Sequence, residues 1–195
     1  LQKQYATYTG ILKNAVEGKV VTRFPPEPSG YLHIGHCKAA LLNFHYAKMY
    51  KGKMILRFDD TNPTKEKNEY VESIIADLKT LGVSYSDLTY TSDYFPKIFE
   101  LLRELISKNL AYLDNTPVEQ MRDERTKKID SATRNLSVEE NLAIYDRLLA
   151  GEADTYCVRA KINMQSPNGC MRDPVLARAS KVPHHRTGTK YKVYP

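Results

Sequence analysis

The stretch PPEPSGYLHIGH, Pro25 to His36, decides how this chain is read. It packs three prolines, two glycines and two histidines into twelve residues, directly after the β-branched run KVVTRF (Lys19 to Phe24), which reads as a buried strand. Proline fixes the backbone where that strand ends, and Gly30 and Gly35 let a ligand approach the main chain with no Cβ in the way. HCKAALLNFHYAKMY, rich in helix formers, follows, with Gly35 and His36 opening the helix and Gly52 supplying its stop. The free N–H groups and positive dipole end of such a helix suit an anion such as a nucleotide phosphate. His33 and His36, three residues apart, lie on one side of the helix start and can donate hydrogen bonds to charge developing on a phosphoryl oxygen. A histidine in that place also serves as a cap or a core residue, and HIGH as a bare four-letter match is weak. Its position after a strand and before a helix is what gives it weight. The glycine pattern is neither GxGxxG nor GxxxxGK[ST], which argues against a dinucleotide oxidoreductase and a P-loop NTPase.

Working outward, KMILRF (Lys53 to Phe58) reads as a second strand that ends on two carboxylates, Asp59 and Asp60. DDTNP is also good turn chemistry, so the pair has a bland reading beside the functional one, which favours Asp59. Tyr70, Val71, Ile74, Ile75, Leu78 and Leu81 form one helical stripe between Glu66 and Leu81. A short strand near Thr89 to Thr91 follows, then a helix striped by Ile98, Leu101, Leu102, Leu105 and Ile106. Alternating strands and helices predict a parallel α/β sheet, in which ligands gather at the carboxyl ends of the strands. Near residue 110 the pattern changes. Thr116-Pro117-Val118-Glu119 and Ser137-Val138-Glu139-Glu140 each read as a capping box opening a helix. VRAKINM, VLARAS and KYKVYP, separated by SPNGC and HHRTG, then read as strands of a mixed α and β unit.

With 195 residues and 42% apolar content, the chain can build a sizeable core. Cys37, Cys157 and Cys170 are too far apart and too few for a disulfide framework or a four-cysteine zinc site, which favours a reducing compartment. No apolar run reaches the ~20 residues of a membrane span, and LQKQYATYTG lacks the order of a signal peptide. Beginning at Leu1 and stopping at VYP, the sequence reads as a piece of a longer protein. The net charge of +6 is unevenly placed. From Tyr156 onward there are eight Lys/Arg against one acid, Asp173. Tyrosines and the pair His184-His185 are interleaved with these cations, as on a surface that meets a phosphate backbone. A plain solvated sheet face is the other reading.

RFPPEPSGYLHIGH followed by LRFDDTNP resembles the catalytic domain of class I aminoacyl-tRNA synthetases, in their glutamyl and glutaminyl branch. DNTPVEQMRDER, MRDPVLAR and HHRTGTKYKVYP are similar to the glutamyl side in its eukaryotic cytosolic form, including the glutamyl half of glutamyl-prolyl enzymes. The resemblance implies an α/β fold: the first half of a Rossmann fold carrying the HIGH motif at 18–110, and an inserted α+β acceptor-stem-binding domain at 111–195. Residues 1–17 would be a linker or the end of a preceding domain. It implies ATP-dependent activation of glutamate, with Mg2+ entering as the ATP complex, and transfer to the 3′ end of tRNA(Glu) in the cytoplasm. By the same resemblance His33 and His36 stabilise the transition state at the α-phosphate. Glu27, Pro28, Ser29, Gly35, His36 and Lys38 face ATP, and Arg23 and Asp59 face the amino acid. Arg172, Arg186 and Lys190 are assigned to tRNA. No resident metal or structural zinc and no membrane are expected, whereas other synthetases of a multi-enzyme complex are possible partners. A lysine-rich KMSKS-like loop, the family's second signature, is not found in this stretch, so the piece alone is expected to be inactive. The alternatives are a glutaminyl enzyme and a non-catalytic RNA-binding module.

Overall fold

The computed structural model describes residues 10–195. Of the expected linker at 1–17, the first nine residues therefore lie outside the described residues. Three short parallel strands, β1 (Val21–Phe24), β2 (Lys53–Phe58) and β3 (Asp87–Tyr90), form a sheet in that order. Met54, Leu56 and Phe58 alternate inward on β2 and are buried, the period of two expected of a strand. Two helices cover the sheet, α1 (Ile34–Met49) and α2 (Asn68–Thr80). α2 buries Val71, Ile74 and Leu78 along one stripe, while α1 rests on small residues, Ala40 and Ala47, that let its backbone approach the strands. The hydroxyl of Thr22 on β1 donates to the carbonyl of Asn43 on α1 across that close contact, at 2.9 Å.

The helix stop after α1 differs in detail from the sequence reading. Lys51, not Gly52, takes the left-handed conformation, with φ of 47°. Gly52 is required for space: a Cβ there would lie 2.0 Å from the carbonyl oxygen of Val20.

A second sheet, antiparallel, runs β4 (Ala111–Asp114), β5 (Cys157–Ala160), β6 (Val175–Ala179), β7 (Val193–Tyr194). α3 (Phe95–Ser107) and α5 (Val138–Ala150) pack against it, and α4 (Val118–Lys127) lies outside with no buried residue. α3, grouped with the first unit by its place in the strand-helix alternation, sends Leu102 and Ile106 into the core of the second sheet, beside Leu113, Tyr145, Leu148 and Val158. Leu101 falls off the buried stripe and is 47% exposed, because the stripe centres on Phe95, Leu102 and Ile106. Of the two capping boxes, the one at Ser137 forms, with reciprocal bonds between Ser137 and Glu140. The one at Thr116 does not: Pro117 takes the cap position without a side-chain bond, and the Thr116 hydroxyl donates to Asp114 at 2.6 Å.

Candidate active site

The loops after β1, β2 and β3 meet at the carboxyl edge of the parallel sheet. A hydrogen bond from the Asp59 N–H to the Pro26 carbonyl, 2.9 Å, ties the second loop to the first. The Lys67 N–H binds the Pro28 carbonyl at 3.2 Å and draws in the start of α2. Pro26 and Pro28 are buried; Glu27 is exposed between them, and Ser29 is half-buried.

His33 is the N-cap of α1, so the bland reading of that residue holds alongside the functional one. Its Nδ1 accepts from the Gly35 N–H at 3.1 Å, and the His33 N–H donates to Nδ1 of His36 at 3.3 Å. With both Nδ1 atoms accepting, the proton of each neutral ring lies on Nε2. The ring centroids are 3.9 Å apart. Desolvation, and behind it the neighbouring His33, holds the His36 imidazole below its usual value, so near neutral pH it is a hydrogen-bond donor without a charge. A Cβ on Gly35 would come within 2.9 Å of the His33 ring, so glycine is what lets the cap ring settle.

The two carboxylates after β2 have opposite surroundings. Asp59 is exposed, with Thr61 and Thr91 hydroxyls 3.5 Å from its Oδ1. Asp60 is fully buried: its Oδ1 accepts from the Ser92 N–H at 2.9 Å, and its carbonyl faces Nε2 of His184 at 2.9 Å. Arg23 is exposed on β1, and Lys38 is exposed on α1 along an apolar groove formed by Ile34, Cys37, Leu41, Leu42 and His45.

The cations expected to meet RNA divide. Arg172 donates to the carbonyls of Ser166, Pro167 and Arg125, and so holds a loop together. Arg186 donates to the Ser92 hydroxyl at 2.6 Å and to Asp93 at 2.9 Å, with its guanidinium 3.6 Å from the Tyr90 ring centroid. The guanidinium of Arg172 is thus engaged inside the chain, whereas Arg186 bonds through Nη1 alone and is exposed. Lys190 is exposed. His184, read from sequence as part of a phosphate-facing surface, is 2% exposed, stacked on Tyr194 and edge-on to Phe95.

Around His184 lies a cluster that the sequence reading missed. Glu66 Oε1 accepts from the Asn62 N–H at 2.7 Å and closes the TNPTK loop. Its Oε2 lies 3.8 Å from His184 Nε2 and 3.7 Å from His185 Nδ1. Burial pushes the Glu66 carboxyl up to about 8, with the charges of Asp60, Glu27 and Asp59 adding to the effect and the Asn62 N–H opposing it. Burial, followed by the charge of His184, lowers His185. Glu66, His184 and His185 bring ligand-type atoms within 4.8 Å of one another. They are poorly suited to a cation: Nδ1 of His184 accepts from the N–H groups of Arg186 and Thr187, its Nε2 donates to Asp60, and Arg186 stands 3.8 Å from the Asp60 carboxylate. The HH doublet in a turn-rich run was the one signal that could have pointed to this cluster.

A parallel sheet whose carboxyl edge holds a glycine-bearing helix start, two imidazoles and an exposed carboxylate is an α/β arrangement of the kind in which ligands gather at the strand ends. The chain belongs to the family described as tRNA synthetases class I (E and Q), catalytic domain, which matches residues 19–195. It is 54% identical over 186 residues to "Glutamate--tRNA ligase, cytoplasmic" of Arabidopsis thaliana, covering 94% of this chain and 26% of that protein. It is 53% identical over 186 residues to "Bifunctional glutamate/proline--tRNA ligase" of Drosophila melanogaster, covering 94% of this chain and 11% of that one. Among solved structures, the glutamate-tRNA synthetase of Elizabethkingia anophelis is similar with a TM-score of 0.56 and 25% identity, covering 74% of this chain and 33% of that chain. The chain thus spans about a quarter or less of the length of these curated relatives. Among the described residues, no helix is long and apolar enough to cross a membrane.

Proposed function

We propose that this chain carries the ATP and amino-acid site of a cytoplasmic glutamate–tRNA ligase, which activates glutamate as its adenylate and passes the glutamyl group to the 3′ end of tRNA(Glu). The observation that carries the reading is the meeting of the His33–His36 helix start with the exposed Asp59, through the Asp59 to Pro26 hydrogen bond. ATP, brought as its Mg2+ complex, lies with its phosphates over the start of α1, beside Glu27, Pro28, Ser29, Gly35 and Lys38. A carboxylate oxygen of glutamate attacks the α-phosphorus, the bond to the bridging oxygen of pyrophosphate breaks, and pyrophosphate leaves. His33 and His36 direct their Nε2–H groups at the oxygens on which charge grows in that step. A donor of this kind is worth about 100-fold to 1000-fold in rate. Asp59 holds the α-ammonium of the amino acid, and Arg23 stands on the same side. In the second step a hydroxyl of the terminal ribose attacks the acyl carbon and AMP leaves.

We assign the first unit, with its HIGH motif, to half of a Rossmann fold and the second unit to the inserted acceptor-stem domain. Of the cations assigned to tRNA, Arg186 and Lys190 are exposed on the second unit, and Arg178, Lys181 and Lys192 are exposed there as well. The names of the relatives support glutamate and tRNA as ligands, a cytoplasmic location, and linkage to other synthetases as in the bifunctional enzymes. The family description covers both E and Q enzymes, so the deciding experiment compares the two amino acids. ATP–pyrophosphate exchange by the full-length protein, with and without tRNA, is expected with glutamate. Exchange driven by glutamine instead, or none with either despite RNA binding, would replace this reading.

A further inference from the structure

We propose that His184, in the second unit, is a positioning residue for the amino-acid site, acting through the backbone of Asp60 on the carboxylate of Asp59. The inference rests on the reading of Asp59 given above. The contact spans 124 residues of sequence and is buried: His184 Nε2 donates to the Asp60 carbonyl at 2.9 Å. The other ring nitrogen, Nδ1, accepts from the N–H groups of Arg186 and Thr187, both at 3.2 Å. One face of the imidazole therefore builds its own turn, and the opposite face grips the loop after β2. The two N–H donors on Nδ1 fix the tautomer, so Nε2 must carry the proton that the Asp60 carbonyl needs. Tyr194 and Phe95 hold the ring plane, which fixes the direction of that bond.

Asp60 is also held by its side chain. Ser92 donates to its Oδ1, and Arg186 reaches across to the Ser92 hydroxyl and Asp93. Among the described residues its neighbour Asp59 has two long hydroxyl contacts of its own, at 3.5 Å. The direction of the Asp59 carboxylate is consequently set by its backbone, anchored at Pro26 on one side and at Asp60 on the other. Shifting the Asp60 carbonyl turns the peptide that precedes it, and with it the group that receives the substrate ammonium. In this arrangement the second unit completes the amino-acid site instead of merely lying beside it.

The two ring nitrogens can be tested separately, because asparagine places its amide near Nδ1 and glutamine places its amide near Nε2. His184→Asn keeps an acceptor for the Arg186 and Thr187 N–H groups and loses the bond to Asp60. His184→Gln keeps a donor for Asp60 and loses the local turn. In ATP–pyrophosphate exchange by the full-length protein, His184→Asn should raise KM for glutamate about 5-fold to 10-fold, the loss of one hydrogen bond, with KM for ATP within about twofold. His184→Gln should stay within about twofold of wild type for both substrates. In an Asp59→Asn background, His184→Asn should have little further effect on kcat/KM for glutamate, since the two residues act through one group. Arg186→Met, a change at the surface, gives a second variant with the same direction and a smaller effect. The inference is overturned if the asparagine and glutamine variants behave alike, if the effects of His184→Asn and Asp59→Asn multiply, or if both KM values rise together with a fall in thermal stability. A wild-type protein that exchanges no glutamate removes the functional reading itself, and this inference with it.

Discussion

Two buried charged clusters lie among the described residues, and they are finished to different degrees. In the second sheet Asp114, Arg159, Asp173 and Arg134 form a closed set. Asp114 Oδ1 accepts from the Thr116 N–H and from the hydroxyls of Thr116, Ser131 and Thr133, while its Oδ2 pairs with Arg159 at 2.5 Å. Those bonds outweigh burial and hold the Asp114 carboxyl below its usual value. Arg159 continues to the Asp173 carbonyl, and Asp173 receives the Ile162 N–H, the Tyr112 hydroxyl and Arg134. The cluster at the sheet edge is left open: among the described residues, Asp60 Oδ2, Glu66 Oε2 and both ring nitrogens of His185 have no hydrogen-bond partner. Buried polar groups are nearly always satisfied, and each exception asks for a reason. The closed cluster holds strands together; the open one lies where the loops after the parallel strands meet the second unit.

The largest effect should come from opening the closed set. Asp114→Ala leaves Arg159 buried and unpaired, and a loss of about 3–5 kcal/mol is expected in denaturant unfolding of this chain. His36→Ala should lower exchange by the full-length protein about 100-fold, with little change in the unfolding midpoint. If stability falls in step with activity, the cap role of the histidine pair outweighs the chemical one.

Glu66 gives a pH test of the open set. Its folded value is raised above the ordinary one, so its stabilising contribution is complete below about 4.5 and is lost as pH rises through about 8. Wild type should therefore be less stable at pH 9 than at pH 6, and Glu66→Gln should flatten that slope by on the order of 2 kcal/mol. A variant that keeps the full slope would remove Glu66 from the explanation. The smallest effect is local: Ser137→Ala should cost about 1 kcal/mol through the lost cap of α5. Thermal unfolding of the two chains side by side checks it.

What the sequence made legible follows a physical rule. The strands around Phe24 and Leu56, the stripe of α2 and the helix start at His33 are local patterns, set by residues within one or two turns of each other. The exposed place of Asp59 just past β2 was legible because a strand end sets it. The rest depends on partners far along the chain. Asp60 is an anchor because His184, 124 residues later, reaches its carbonyl. Thr116 gives up its capping box because Asp114 draws its hydroxyl. Arg172 and Arg186 read as phosphate contacts in a basic run, and the carbonyls, hydroxyl and acid to which they also donate are brought near only by folding. α3 continues the alternation of the first unit, but its apolar face is claimed by the second core.

The most direct test of the contrast compares one neutralising change in each cluster, Asp173→Asn and Asp60→Asn. For each, the KM for glutamate would be measured on the full-length protein, and the unfolding midpoint on this chain. The account predicts a split. Asp173→Asn lowers the midpoint and leaves KM for glutamate within about twofold, because it breaks the pair with Arg134 far from the substrate. Asp60→Asn leaves the midpoint nearly unchanged and raises KM for glutamate severalfold, because it loosens the loop that carries Asp59. Equal losses of stability and affinity in both variants, or the reverse split, would contradict it.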